Sequence, residues 1–224
     1  GPSGCGKSTL LKMVAGLLEP TDGRLHLWRK PVAQLDESGK KMAFVFQSPT
    51  LMPWASVQTN VRLPLDLAGV PRAEADARVT DALALVGLSK FANALPRALS
   101  GGMQMRVSIA RGLVTQPDLL LMDEPFGALD EITRHKLDAD LLDLWRKKKL
   151  TVIFVTHSIH EAVFLSSRVV MMAARPGRVV EEFRIDAPYP RTADFMVSPE
   201  FSRYAKLLQD SLLRASVDTE ETVA

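Results

Sequence analysis

One cysteine in 224 residues leaves nothing to pair, so no internal disulfide framework holds this chain together, and such usage suits a reducing cytosol. Aromatic residues are sparse, 6% of the chain, and charge of neither sign dominates, with 28 basic against 26 acidic residues. The resulting net charge of +2 supplies no electrostatic footprint for nucleic acid or an anionic membrane surface. No apolar run reaches the ~18 residues that a membrane span needs, and no secretory leader pattern opens the sequence. Internal repeats and low-complexity linkers are missing as well. What is left is an ordinary globular composition, 46% hydrophobic and 24% charged, long enough for one large domain or a core with a subdomain.

The residues that are present begin with Gly1-Pro2-Ser3-Gly4-Cys5-Gly6-Lys7-Ser8-Thr9, the phosphate-loop pattern G-x-x-x-x-G-K-[ST]. Glycines let backbone N–H groups approach phosphate oxygens, Lys7 reaches the outer phosphates, and the Ser8 hydroxyl holds Mg²⁺. The helix that follows turns its partly positive N-terminus toward the same anion. A small residue in a tight loop accounts for Cys5 as well as a redox switch does. The pattern starts with no Met and no strand ahead of it, so the sequence reads as the remainder of a longer chain.

Leu10, Leu11, Val14, Leu17 and Leu18 recur at helical spacing after the loop. Arg24-Leu25-His26-Leu27 alternates like a strand, and Met42-Ala43-Phe44-Val45-Phe46 reads as a buried strand ending at Gln47. Residues 56–116 carry helical patterns without obvious strands, with Pro71 placed for a helix start. Leu119-Leu120-Leu121-Met122-Asp123 reads as a central parallel strand. A helix with Leu137, Leu141 and Leu144 inward follows, ending in the basic run Arg146-Lys147-Lys148-Lys149, where cations suit a helix C-terminus. Thr151-Val152-Ile153-Phe154-Val155 repeats the central-strand pattern. Arg168-Val169-Val170-Met171-Met172 and residues 178–185 are further strands about the turn Pro176-Gly177, and residues 198–214 form a helix with a polar end beyond. The pattern predicts an α/β fold with a parallel sheet. Its core comprises residues 1–55 and 117–185, with an inserted helical subdomain at 56–116 and a helical tail at 186–224. Such sheets bind ligands beyond the carboxyl ends of their strands, where Gln47, Asp123 and His157 all fall.

Asp123 at the end of an apolar strand is the carboxylate that holds Mg²⁺ in a P-loop nucleotidase. Glu124 follows it, and neighbouring side chains on an extended backbone diverge, so one carboxylate serves the metal while the next faces water as general base. His157 gains weight from its place after an apolar strand, whereas His26, His135 and His160 read as surface or packing residues. In Leu99-Ser100-Gly101-Gly102-Met103, Ser100 caps a helix and two glycines expose N–H groups, a second anion cradle. One chain needs only one cradle per nucleotide; two chains head-to-tail use both.

With that segment the sequence resembles the ATP-binding cassette (ABC) family over almost its whole length. The P-loop at residues 1–9, Gln47, the signature at 99–103, Leu119 to Glu124, the loop Ala128-Leu129-Asp130 and His157 occur in the family's order. The resemblance implies ATP and Mg²⁺ as cofactors, Gln47 on Mg²⁺ or the attacking water, and His157 on the γ-phosphate positioning Glu124. Asp130 would organise the dimer interface across from the P-loop. It implies a P-loop nucleotidase core with a mostly parallel sheet, a second copy of the chain as partner, and permease subunits that engage near Gln47 and the helical subdomain. A solute-binding protein would be an indirect partner, nucleic acid would be none, and the place would be the cytoplasmic face of the inner membrane. Phe46-Gln47-Ser48-Pro49, Leu51-Met52-Pro53-Trp54, Met103, Asp123 through Asp130 and Arg175-Pro176-Gly177-Arg178 resemble the nitrate/sulfonate/taurine importers, a group that includes transporters of pyrimidine precursors. Met103 stands where the commonest signature has glutamine. The family's adenine-stacking aromatic and the strand that feeds the loop have no counterpart in this sequence, so an inactive remnant is the rival reading. A soluble ABC ATPase of translation or repair implies tandem cassettes or a coiled-coil insertion, which the sequence does not show, and a P-loop kinase would have no use for Ser100-Gly101-Gly102.

Overall fold

The computed structural model describes residues 1–221, with the side chains of 36, 37 and 216–221 outside the description. At its centre lies a parallel three-stranded sheet in the order β3 (Met42–Val45), β4 (Leu119–Asp123), β5 (Thr151–Val155). Met42 pairs with Leu119 and Leu119 with Thr151, so the three strands start together, and β4 and β5 run one residue past β3. Every residue of β4 is buried. Alternation sorts its side chains: Leu119 and Leu121 pack with Leu11, Val14 and Val155 on the α1 (Lys7–Val14) face. Leu120 and Met122 join Met105, Ile109, Leu113, Leu137, Leu141 and Leu144 on the other.

That second face is covered by α4 (Gly101–Leu113) and α5 (Glu131–Lys148). Between β3 and α4 stand α2 (Val57–Leu67) and α3 (Arg72–Leu85), which close around Val57, Val61, Leu65, Val79 and Leu83 together with Val107 and Ala110 of α4. Buried Asn60 locks the chain entering α2: its amide donates to the carbonyls of Met52, Ala55 and Ser56 and accepts from the Met52 N–H.

Two expectations change in extent, and one pairing that the sequence left open is defined. The strand read over residues 24–27 is shorter, β1 (His26–Leu27), paired only with β2 (Lys30–Pro31) in a small hairpin. The strands after β5 form an antiparallel pair, β6 (Arg168–Ala173) and β7 (Arg178–Arg184), because the four residues between them turn the chain straight back. This hairpin is backed by α6 (Ile159–Leu165), α7 (Ala193–Met196) and α8 (Pro199–Glu221) around Phe164, Met171, Ile185, Phe201 and Leu208. Helix α8 continues seven residues past the expected end at 214, and the last three residues of the polar end, 222–224, lie outside the described residues.

Candidate nucleotide site

The phosphate loop is shaped by backbone conformation. Gly4 and Gly6 sit at φ +76° and +95°, left-handed values that a side chain disfavours. Gly6 is also the N-cap of α1 and offers no side-chain cap, while Ser56, Ser100, Asp130 and Ser158 cap α2, α4, α5 and α6 through side-chain oxygens. The first N–H groups of α1 are therefore left for an outside acceptor. Cys5, 1% exposed, points under the loop with its Sγ 4.0 Å from Lys7 Nζ.

Lys7 bends back so that its ammonium donates to the carbonyls of Gly1 and Pro2, 3.0 Å each, and lies 3.6 Å from Glu124 Oε1. Ser8 Oγ donates to Asp123 Oδ1 at 2.7 Å. His157 Nδ1 stands 3.0 Å from Glu124 Oε2. These bonds join the P-loop, the end of β4 and the turn after β5 into one cluster with a positive, a negative and a titratable group in contact.

Sequence reasoning expected Asp123 and Glu124 to diverge by alternation along an extended chain. They diverge, but for another reason. Glu124 leaves the strand at φ +43°, a left-handed conformation held by its N–H on the Val155 carbonyl, 2.9 Å. Asp123 thus stays 8% exposed against Ser8, and Glu124 swings to meet Lys7 and His157.

Other expected residues lie elsewhere. Gln47 follows β3, exposed, and its side chain makes none of the described hydrogen bonds. Ser100 caps α4 by accepting from Met103 N–H at 3.3 Å, and a Cβ on Gly101 or Gly102 would meet Leu129 and Thr133 of the same chain. Asp130 caps α5 by accepting from Thr133 N–H at 2.9 Å. Pro2, Ser3 and Thr9 stay in the loop and the first turn of α1 without a described side-chain bond.

Two contacts were not foreseen. The turn that closes the β6–β7 hairpin packs on the P-loop: a Cβ at Gly177 would lie 2.8 Å from the Cys5 carbonyl, and one at Gly1 would run into the Met172 carbonyl of β6. The signal was the glycine in the 175–178 turn, read only as a turn residue. Arg111 of α4 grips the segment after Gln47 through the carbonyls of Pro49 and Thr50 and the Thr50 hydroxyl, 2.9 Å each.

Comparison with known proteins identifies what this geometry serves. The profile of the ABC transporter family matches residues 1–127. The chain belongs to the ABC transporter family. It is 50% identical to the taurine import ATP-binding protein TauB of Rhizobium johnstonii over 90% of this chain and 78% of the relative. An ABC transporter ATP-binding protein of Methanocaldococcus jannaschii is 48% identical over 96% of this chain and 80% of its own length. Among solved structures, cbiO1 of Clostridium perfringens, part of the ABC transporter complex cbiONQ, superposes with TM-score 0.76 at 28% identity, covering 92% of this chain and 81% of that one. A dimeric ATP-binding cassette in a post-hydrolysis state with ADP and phosphate gives 0.71 at 34% identity over 84% of each.

As an ABC ATP-binding subunit the chain binds ATP with Mg²⁺ and hydrolyses it to drive import. Its residues fit both groups. The uncapped α1 terminus and left-handed glycines suit phosphate oxygens, which would replace the carbonyls now holding Lys7. Among the described residues no cluster of three His, Cys, Asp or Glu is set to hold a metal by itself. Mg²⁺ takes one or two protein ligands and completes its shell with phosphate and water, and Ser8 and Asp123, bonded to each other at 2.7 Å, would hold it. Bound there, the ion neutralises charge on the transferring phosphoryl group. No helix among the described residues is long and apolar enough to cross a membrane.

Proposed function

We propose that this subunit energises an importer of small sulfonate-like solutes of the taurine type, within the wider nitrate, sulfonate and pyrimidine-precursor range. Glu124 acts as general base on the attacking water, His157 holds Glu124 and the γ-phosphate, and Ser8, Asp123 and Gln47 serve Mg²⁺. Ser100, Gly101 and Gly102 complete the P-loop site of a second, head-to-tail copy, with Asp130 at the seam. Residues 56–116 act as a subdomain that carries this signature cradle, and residues 186–224 as a tail. The assembly sits peripherally at the cytoplasmic face of the inner membrane against permease subunits, with a solute-binding protein beyond them. Exposed Trp54 and Leu67, 78% and 80%, supply apolar surface for the permease beside the segment that follows Gln47.

One observation carries the chemistry: Glu124 is held between Lys7 and His157 while its neighbour Asp123 holds Ser8. Glu124→Gln keeps the shape and removes the base, so phosphate release should fall ~10²–10⁴-fold while ATP binding persists. Undiminished release would strip Glu124 of that role. Uptake of labelled taurine, alkanesulfonate and nitrate by the assembled transporter in vesicles reads the solute, and nitrate uptake without taurine uptake would overturn the assignment to taurine-type sulfonates.

A further inference from the structure

Behind the His157 turn lies a cavity of about 160 Å³ that the nucleotide site does not use, lined by α5, α6 and Met196 of α7. Asp138 and Glu161 form its floor, 1% and 5% exposed. Among the described residues three buried polar atoms there have no hydrogen-bond partner: Asp138 Oδ1, Glu161 Oε1 and Arg134 Nε, although the last two lie 3.9 Å apart as an ion pair. A half-satisfied buried network of this kind is costly, and in native proteins it calls for an explanation.

Glu161 also reaches the catalytic turn. One of its carboxylate oxygens accepts from the Thr156 hydroxyl. That hydroxyl in turn accepts from Ser158 N–H at 2.8 Å, and Ser158 Oγ accepts from Glu161 N–H at 3.3 Å. The ring of bonds closes around His157, which it leaves aimed at Glu124. Glu161 is thus tied to the one segment whose placement sets the His157–Glu124 contact.

We propose that Asp138 and Glu161 are a proton-controlled positioning pair for His157: with Asp138 protonated, Glu161 keeps its hold on Thr156, and with Asp138 ionised that hold is released. The inference rests on the assignment of His157 to the reaction. The groups that face Asp138 are Glu131, Arg134 and His135 from its own helix and His160 and Glu161 from α6. His157 and Glu124 act on Glu161 from beyond it. Burial foremost, then the Glu161 charge, pushes the Asp138 carboxyl up to about 8, with Arg134 opposing. Burial likewise raises Glu161, against the Thr156 bond, Arg134 and His157. Below the midpoint Asp138 is neutral and a single buried negative charge faces Arg134. Above it two carboxylates confront each other out of water, and the relief is for Glu161 to turn away from Thr156. The Asp138 proton leaves to solvent through the open mouth of the cavity. A displacement of His157 by ~1 Å is enough to cost up to ~10²-fold in turnover.

The test follows single-turnover ATP hydrolysis and the NMR titration of the His157 ring from pH 6 to 9.5 in this chain. In the unaltered protein both should show an inflection near the Asp138 midpoint. Asp138→Asn, a permanent mimic of the neutral acid, should remove it from both while keeping neutral-pH turnover. Glu161→Ala should slow turnover across the range and move the His157 signals, and Glu161→Gln, which can still accept from Thr156, should restore both. An unchanged inflection in Asp138→Asn, or His157 signals unmoved by Glu161→Ala, would overturn the proposal. A control distinguishes the two assignments: if His157→Ala hydrolyses ATP normally, the catalytic role of His157 fails, while the ring titration still decides whether Asp138 and Glu161 position it.

Discussion

Replacing Asp138 by Asn should stabilise this protein, and by more as the pH rises. The ordinary aspartate carboxyl titrates at 3.8, and in the fold burial raises this one to about 8. Below pH ~4 the carboxyl is protonated in both folded and unfolded chains, so folding carries no proton cost. Between the two values the native state holds one proton more than the unfolded state. Unfolding free energy then falls by ~1.36 kcal/mol for each pH unit, and above the folded value it levels off. At pH 5 the accumulated cost is roughly 2 kcal/mol, and at pH 7 roughly 4 kcal/mol. Asparagine keeps the shape and carries no titration. Glu161, raised foremost by burial, contributes a slope of the same sign in both chains. Urea unfolding at pH 5, 6, 7, 8 and 9, at fixed ionic strength, measures the difference through the midpoint with the slope unchanged. The gap between variant and parent should widen up to pH 8 and stay constant beyond. Two parallel stability curves would refute the reasoning, because they would mean that Asp138 folds as a carboxylate.

Three other outcomes follow from contacts already described. Gly177→Ala would set a methyl 2.8 Å from the Cys5 carbonyl, and since backbone cannot yield there, the hairpin turn must lift off the P-loop. A strain of ~1–3 kcal/mol should weaken ATP binding about tenfold or more in a fluorescent-nucleotide titration, and unchanged affinity would contradict it. Arg191 is buried with its guanidinium on the carbonyls of Val163, Phe164, Ser166, Ile185 and Ala187 and stacked 4.2 Å over Tyr189. Arg191→Ala orphans those acceptors and should cost ~3 kcal/mol or more in denaturant unfolding, with Arg191→Lys a poor rescue because an ammonium cannot span the fork. Finally, Lys7→Ala and Ser100→Arg chains, each inactive alone, should regain part of their hydrolysis when mixed, since a mixed dimer keeps one intact P-loop facing one intact signature. A mixture as inactive as its parts would remove the second copy from the site.

Where one physical signal dominated a segment, the sequence was enough to place it. The unbroken apolar run at Leu119 to Met122 could only be a strand covered on both faces, and its burial is complete. Ser100 before two glycines and a helical period announced a capped helix, and the cap is made. The basic run at 146–149 lies at the end of α5, where Lys149 takes the left-handed C-cap conformation. The hairpin β6–β7 was harder, since an apolar run specifies a strand but not its neighbour. Pairing is decided by loop length and by what packs beneath, here α6 and α8, and neither is written in the strand itself.

The cluster around Glu124 shows where local reading gives out. Residue types identified Lys7, Ser8, Asp123, Glu124 and His157 without indicating how two adjacent carboxylates reach different partners. The answer is a left-handed backbone at a non-glycine residue, which no propensity favours and which the Val155 carbonyl imposes from the next strand. Asp138 left a fainter trace: an acid set between Leu137 and Leu141 on the inward face of α5, where the apolar period has no place for a charge. His135 and His160 looked like surface or packing residues because each was judged alone. His160 does pack, its ring 5.5 Å from that of Phe201, yet both line the cavity over Asp138 and Glu161. Six ionisable side chains from two helices meet there through tertiary packing, and that same packing carries any change in their charge by way of Thr156 to the histidine that faces Glu124.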